Sequence, residues 1–345
     1  MAKSLSKQAE LAIRAGVSQA TVSRCLRNDP MQHRATRERV QALAREMGYV
    51  PNSFAAGLAH TRHAGGQPAK ANLAIIGGNE KFDPAKQFRN WTAFVEAAKR
   101  RAEDLGYSME YLWRYQPGMT ARRLRQIIEA RGIFGLILMM ISSPEEMDLP
   151  WDRLALAATK MPHQHPLTHY VGTNPYHDTC LALQECRKLG YKRPGLATQL
   201  TYDLHQYEGA VTAAFLLHNH GLPAADRIPL ANTWSGNFSY RQFLGWIDRH
   251  RPDVILTTDA LAGEYLRRSG RRIPEEMGFV SLAGKDFGLM ENSSCVDQRN
   301  DLSGMAAVEI VTGQLHHNER GLPEHPRCVI VPSEWRAGST TRVIE

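Results

Sequence analysis

Short apolar runs alternate with stretches of helical periodicity in two successive series along this sequence, and that alternation restricts the fold more than any other feature. The first series is Leu73-Ala74-Ile75-Ile76, a helical pattern from Trp91 to Leu105, a run from Ser108 to Trp113, a helical pattern from Ala121 to Ala130, and a run from Phe134 to Ile141. The second begins after Tyr191 with PGLATQ, continues through one helix from Tyr207 to His220, and ends on the runs Asp253 to Thr258 and Gly278 to Gly284. Such a rhythm requires parallel strands, because each crossover lays a helix on a sheet face and buries it. Two series imply two α/β lobes with a cleft between them. With 345 residues, 43% of them hydrophobic, the chain can bury cores of that size; its length suits two or three domains of about 100–200 residues each.

The front of the chain is different. Residues 1–63 carry ten Lys and Arg against four Asp and Glu, a net +6 that leaves only +1 of the total +7 for everything beyond. A small basic unit fused to a nearly neutral globule points to a polyanion as the partner of the front end. Five cysteines (Cys25, Cys180, Cys186, Cys295, Cys328) at irregular spacings contain no CxxC pair; they read as reduced thiols rather than as a metal or redox motif. The N-terminus lacks the apolar run of a signal peptide, and no stretch approaches the ~20 apolar residues of a membrane span. The expected location is the cytoplasm, with no membrane contact.

From Leu5 to Met47 the periodicity predicts three short helices, the last from Thr36 with Val40, Leu43, Ala44 and Met47 on one face. Within LAIRAGVSQATVSRCLRN, Leu11, Ala12 and Ala15 face inward from the first helix, Gly16 supplies a tight turn, and Ser18 caps the second. On a wheel starting at Gln19, Ser23, Arg27, Ala20 and Arg24 fall at about 40, 80, 100 and 140°. Val22 and Cys25, with Leu26 at the edge, fall opposite. A helix that is short-chained and cationic on one side and apolar on the other suits a major groove. Gln pairs bidentately with adenine and Arg with guanine, so Gln19 and Arg24 are the expected base readers, with Ser18, Thr21, Ser23 and Arg27 on phosphates.

The segments AGVSQATVSRCLRNDP and ATRERVQALAREMGYVPN, followed by Gly57-Leu58-Ala59, resemble the DNA-binding headpiece of the lactose-repressor (LacI/GalR) family of transcriptional regulators. The resemblance implies an N-terminal all-α helix-turn-helix headpiece over 1–62 with a hinge helix at about 52–59. A linker over 63–71 and a periplasmic-binding-protein-like effector domain over 72–345, built of two Rossmann-like lobes, would follow. It places lobe 1 at about 72–190 and 299–326, and lobe 2 at about 191–298 and 327–345. It also places Tyr49 and Asn52 on the DNA backbone, Ala55 toward the minor groove and Leu58 as a wedge within it. Gly57 departs from the bulky polar residue usual there, at a cost of about 1 kcal/mol in helix propensity.

The same resemblance sets the effector in the interlobe cleft, beyond the carboxyl ends of the strands. The expected contacts are His177, Gln206, Trp234, Thr258, Asp259 and Gln298. Trp234 and Gln298 match family positions, an aromatic platform and an amide; Thr173, Gln206, Thr258 and Ala283 replace residues that elsewhere bind sugars. An aromatic face with a few polar groups suits a sugar or glycoside. A homodimer is implied, because two-fold headpieces read a pseudo-palindromic, double-stranded operator. No catalytic residues, cofactor or metal are expected. Asp286-Phe287-Gly288 spells a kinase-like triplet without a phosphate loop, and His163/His165, His218/His220 and His316/His317 lack partners at ligand spacing. The expected function is a transcriptional regulator, a repressor whose operator affinity follows a carbohydrate-related effector. The alternatives are a solute-binding protein without DNA function, and a DNA-binding regulator with a protein effector or none.

Overall fold

The computed structural model describes residues 7–26, 31–47, 71–79, 83, 86, 89–141, 147–159, 168–207, 209–231, 239–284 and 292–343. The expected hinge helix, all of the linker but Ala71, Arg27, Trp234, His163/His165 and the Asp286-Phe287-Gly288 triplet lie outside the described residues. The N-terminal helices belong to one compact unit and the two sheets to another.

In the N-terminal unit, α1 (Lys7–Ala15), α2 (Gln19–Leu26) and α3 (Arg34–Glu46) follow the expected periodicity. α1 stops because Gly16 takes φ +62°, a conformation a side chain resists. Gly16 N–H then donates to Ile13 O and Val17 N–H to Ala12 O, both at 3.1 Å, the paired bonds of a Schellman cap. Leu11, Ala12, Ala15, Val22, Cys25, Val40 and Ala44 are buried together, flanked by Val17, Leu26, Leu43 and Met47.

The larger unit contains two sheets. The first has six strands in the order β10-β5-β4-β3-β1-β2, all parallel: β1 (Asn72–Gly77), β2 (Ser108–Trp113), β3 (Ile133–Met139), β4 (Ala155–Thr159), β5 (His169–Gly172) and β10 (Cys328–Ile330). The second has the order β11-β9-β8-β7-β6, with β6 (Pro194–Ala197), β7 (Val254–Thr257), β8 (Gly278–Ser281) and β9 (Ser294–Asp297) parallel and β11 (Glu334–Arg336) antiparallel to β9. Every residue of β4, β6, β7 and β8 is buried, as strands covered on both faces must be.

Helices α4 (Arg89–Asp104) and α5 (Ala121–Ala130) belong with the first sheet, where Leu124 and Ile128 of α5 share a core with Leu136, Leu138 and Leu156. α6 (Pro175–Lys188), α7 (Leu200–Tyr207), α8 (Ala210–His220), α9 (Tyr240–His250) and α10 (Ala260–Ser269) belong with the second. The helix expected through Tyr207 to His220 is α8, which starts at Ala210 because Gly209 at φ +74° breaks the chain after α7 and Asp203 caps α8 by accepting from Thr212 N–H at 2.8 Å.

The chain crosses between the sheets three times, and two crossings differ from expectation. Ala182, Leu183 and Cys186 of α6 pack with Leu196, Val211 and Val254, so the first crossing falls near Thr173 rather than at residue 190. β10 pairs with β5, so the last falls at 331–333 instead of near 327. The middle crossing lies between β9 and α11 (Asn300–His317), whose Gly304 meets α4 so closely that an added Cβ would sit 2.3 Å from Phe94 O. The polar stretch Gly338 to Arg342 is built into the second sheet: Thr340 hydroxyl donates to Phe279 O at 2.7 Å and accepts from Ser294 N–H at 2.9 Å, and Arg342 N–H donates to Tyr191 Oη at 3.0 Å.

Thr340 is 4% exposed. Thr340→Val keeps the shape but strands a buried N–H and a buried C=O, so urea unfolding is expected to show a loss of about 1–3 kcal/mol, with Thr340→Ser near wild type. Equal losses for the two variants would contradict that account.

Candidate nucleic-acid interface and ligand-facing strand ends

The exposed side of α2 begins at its cap. Ser18 Oγ accepts from Thr21 N–H at 3.1 Å and pairs with the Thr21 hydroxyl at 2.9 Å, which fixes the first turn and anchors both hydroxyls at the rim. Val22 and Cys25 are 0% exposed, whereas Gln19, Ala20 and Arg24 are exposed and Thr21 half-buried. Gln41 Nε2 of α3 donates to Cys25 O at 3.0 Å, so the last turn of α2 is tied to the supporting helix. Ser23 lies within the same helix. Arg14 pairs with Glu10 and Arg34 with Glu38 at 3.5 and 2.7 Å, exposed pairs worth at most about 1 kcal/mol. Arg24 has no ion pair among the described residues and stays available to an external anion. Arg27, Tyr49, Asn52, Ala55 and Leu58 lie outside those residues.

In the larger unit, parallel strands bring residues distant in sequence to one edge. β6 is followed by Thr198 and Gln199, β7 by Thr258 and Asp259, β8 by Leu282 to Gly284, and β9 by Gln298. The Thr198 and Thr258 hydroxyls bond each other, and Gln199 Nε2 donates to Asp259 Oδ2 at 2.9 Å. Asp259 Oδ1 accepts from Leu261 N–H at 2.9 Å, capping α10. Both Asp259 oxygens are therefore engaged, and the carboxylate serves the helix and the amide before any ligand. Gln298 Nε2 reaches Leu282 O at 3.4 Å, a loose bond that leaves much of its amide capacity unused. Thr198 and Gln199 belong to this cluster although the sequence reading did not name them; the signal was their place directly after the apolar run of β6.

The other expected contacts are not joined to this cluster by any described bond. His177 is exposed in the first turn of α6, its N–H held by Asn174 Oδ1 at 3.1 Å. Gln206 lies in α7, and Trp234 lies outside the described residues.

The first sheet has a corresponding edge. Tyr111 of β2 lies over Gly77, where an added Cβ would sit 2.2 Å from its oxygen, and its hydroxyl donates to Asp83 Oδ1 at 2.6 Å. Trp113 Nε1 donates to Asn79 O at 2.9 Å. Two aromatic side chains of an edge strand thus fix the backbone leaving β1, and only glycine fits beneath one of them. Each edge thus combines hydroxyl, amide or aromatic donors with one carboxylate already engaged by a neighbouring side chain, Asp83 in the first sheet and Asp259 in the second.

Residues 9–52 match the family model for bacterial regulatory proteins of the lacI family. Nothing among curated protein sequences matches the chain. Among solved structures, a transcriptional regulator CelR–cellobiose complex is 18% identical with a TM-score of 0.58, the match covering 97% of this chain and 100% of that one. The lac repressor dimer bound to operator and the anti-inducer ONPF is 20% identical with a TM-score of 0.53, over 99% and 100%. The transcription regulator CcpA of Lactococcus lactis is 15% identical with a TM-score of 0.54, over 79% and 100%. At such identities these likenesses speak to the fold, a helix-turn-helix headpiece joined to a two-lobed α/β domain. At the level of sequence the likeness rests on the headpiece, whose residues 9–52 fit the lacI family of bacterial regulatory proteins.

Proposed function

We propose that this protein is a sequence-specific DNA-binding transcriptional regulator, a repressor whose operator affinity is set by a small carbohydrate-related effector bound between its lobes. The observation that carries the DNA half is the division of α2: Val22 and Cys25 are fully buried on the supporting helices, and Gln19, Ala20 and Arg24 are left on an exposed face. In this reading Gln19 and Arg24 read base edges, Ser18, Thr21, Ser23 and Arg27 set the phosphate register, and Tyr49, Asn52, Ala55 and Leu58 complete the contact from the hinge. Residues 1–62 are the DNA-binding domain, and 72–345 bind effector and dimerise. The lac repressor dimer bound to operator, a neighbour in fold, supports a two-fold arrangement on a pseudo-palindromic site.

For the effector half, the polar strand ends Thr198, Thr258 and Gln298 carry the reading, with His177, Gln206, Trp234 and Asp259 as further contacts. The CelR–cellobiose complex supports a sugar. The effector acts through unequal affinity for two lobe arrangements, which is linkage and requires no catalysis. No described helix is long and apolar enough to cross a membrane; a regulator of this kind works in the cytoplasm, where the DNA is.

DNA fragments retained by the pure protein, once sequenced, yield the operator for fluorescence-anisotropy titrations. Gln19→Ala and Arg24→Ala are each expected to cost about 1–3 kcal/mol on that operator and to relax preference at one base pair of each half-site. Non-specific binding retains a steep salt dependence. Uniform weakening on all sequences would demote either residue to a phosphate contact, and absence of DNA binding by the wild type would leave a solute-binding protein. A panel of neutral mono- and disaccharides in thermal unfolding is expected to contain stabilising members, by about 2.7 kcal/mol at a hundredfold excess over Kd. A flat panel contradicts the sugar assignment and favours a protein effector or none.

A further inference from the structure

Asp178 stands in the first turn of α6, just past the first crossing between the sheets, and is 3% exposed. Among the described residues neither of its carboxylate oxygens has a hydrogen-bond partner, and neither does the buried hydroxyl of Ser333 on the third crossing. The hydroxyls of Thr173 and Ser333 lie close enough to ease its ionisation, yet outside good hydrogen-bond geometry. An acid from one crossing is therefore sealed against another, with its charge uncompensated, in the strip of chain that any relative motion of the two sheets must bend.

The surrounding charges do not relieve it. Against α6 pack α8, β9 and β11. Asp297 at the end of β9 and Glu334 and Arg336 of β11 are engaged with one another and with the middle crossing. Arg299 holds Asp301 at 3.1 Å and Glu334 at 2.5 Å, and Arg336 holds Asp297 at 3.2 Å and Glu334 at 2.9 Å. His218 and His220 of α8 have no resolved effect on it; the neighbouring charge that acts on Asp178 is His177, which favours ionisation. Burial outweighs these influences and raises the Asp178 carboxyl to about 6.

We propose that Asp178 is a proton-operated element of the hinge between the two lobes: protonated, it fits the packed crossings, and ionised, it favours an arrangement that lets water reach them. This rests on reading the two sheets as lobes that move about their crossings. A carboxyl raised in the folded state stabilises fully below its ordinary value of 3.8, and that contribution is lost as pH rises through about 6. A ligand that favours the packed arrangement therefore takes up a proton and binds more tightly in acid.

Two readouts on the full-length protein, free of DNA and sugar, test it: small-angle scattering at about pH 5 and about pH 7.5, and the thermal midpoint across that range. The wild type is expected to expand and to lose stability relative to Asp178→Asn as pH rises through about 6, while Asp178→Asn, and Asp178→Ser as a second neutral variant, do neither. His177→Gln retains both responses with the transition moved to higher pH. Equal pH responses in wild type and neutral variants overturn the proposal, as does a stability difference with no pH-linked change in scattering. Operator binding by the same samples is scored separately, so failure of the hinge proposal is distinguishable from failure of the DNA assignment.

Discussion

Burial of both faces of the central strands of each sheet is the constraint from which the rest of the larger unit follows. With strands such as β4, β7 and β8 sealed on either side, no ligand can approach the faces of the central strands, and polar groups gather at strand ends, caps, edges and crossings. Parallel direction then gathers Thr198, Thr258 and Gln298 at one edge, although they are far apart in sequence. Asp259 shows how economically such an edge is used, one oxygen starting a helix and the other holding Gln199.

The N-terminal unit works from the opposite condition. Its core of a few small and medium side chains leaves little apolar area to stabilise three helices, so ends and ties matter more: the Schellman cap at Gly16, the Ser18 cap, and the Gln41 bond to Cys25 O. Each acts on one side of α2 or at its start. None of these three ties uses the outer side of α2, where Gln19 and Arg24 are exposed.

Much of this was legible in the sequence where the determinant is local. Leu11, Ala12, Ala15, Val22, Cys25, Val40 and Ala44 fall into one cluster because a 3.6-residue period fixes which residues share a face. The runs of β1, β3, β7 and β8 were readable as continuous apolar stretches. β4 was not, since Ala155 to Thr159 is an alanine-rich run that suits a helix as well, and β5 and β10 are too short to show a pattern. The crossings were misplaced for a related reason: helix α6 looks the same whichever sheet it covers, and only its partners Leu196 and Val211 decide. Asp178 was invisible, because its burial depends on Ser333 arriving from a distant part of the chain. Thr340 and Thr341 looked like a polar ending and are 4% and 3% exposed.

That last feature governs how the molecule is made. The second sheet needs β11 and the stretch from Gly338 to Arg342, and the first needs β10 and α11, so on the ribosome neither sheet can be completed until nearly the entire chain has emerged. The three N-terminal helices all lie within the first 46 residues. At a synthesis rate of about 5–20 residues per second, the residues of α1, α2 and α3 emerge roughly a quarter of a minute to a minute before the last strands. Each newly made chain therefore passes through an interval in which its three N-terminal helices have been synthesised and neither sheet can yet be closed.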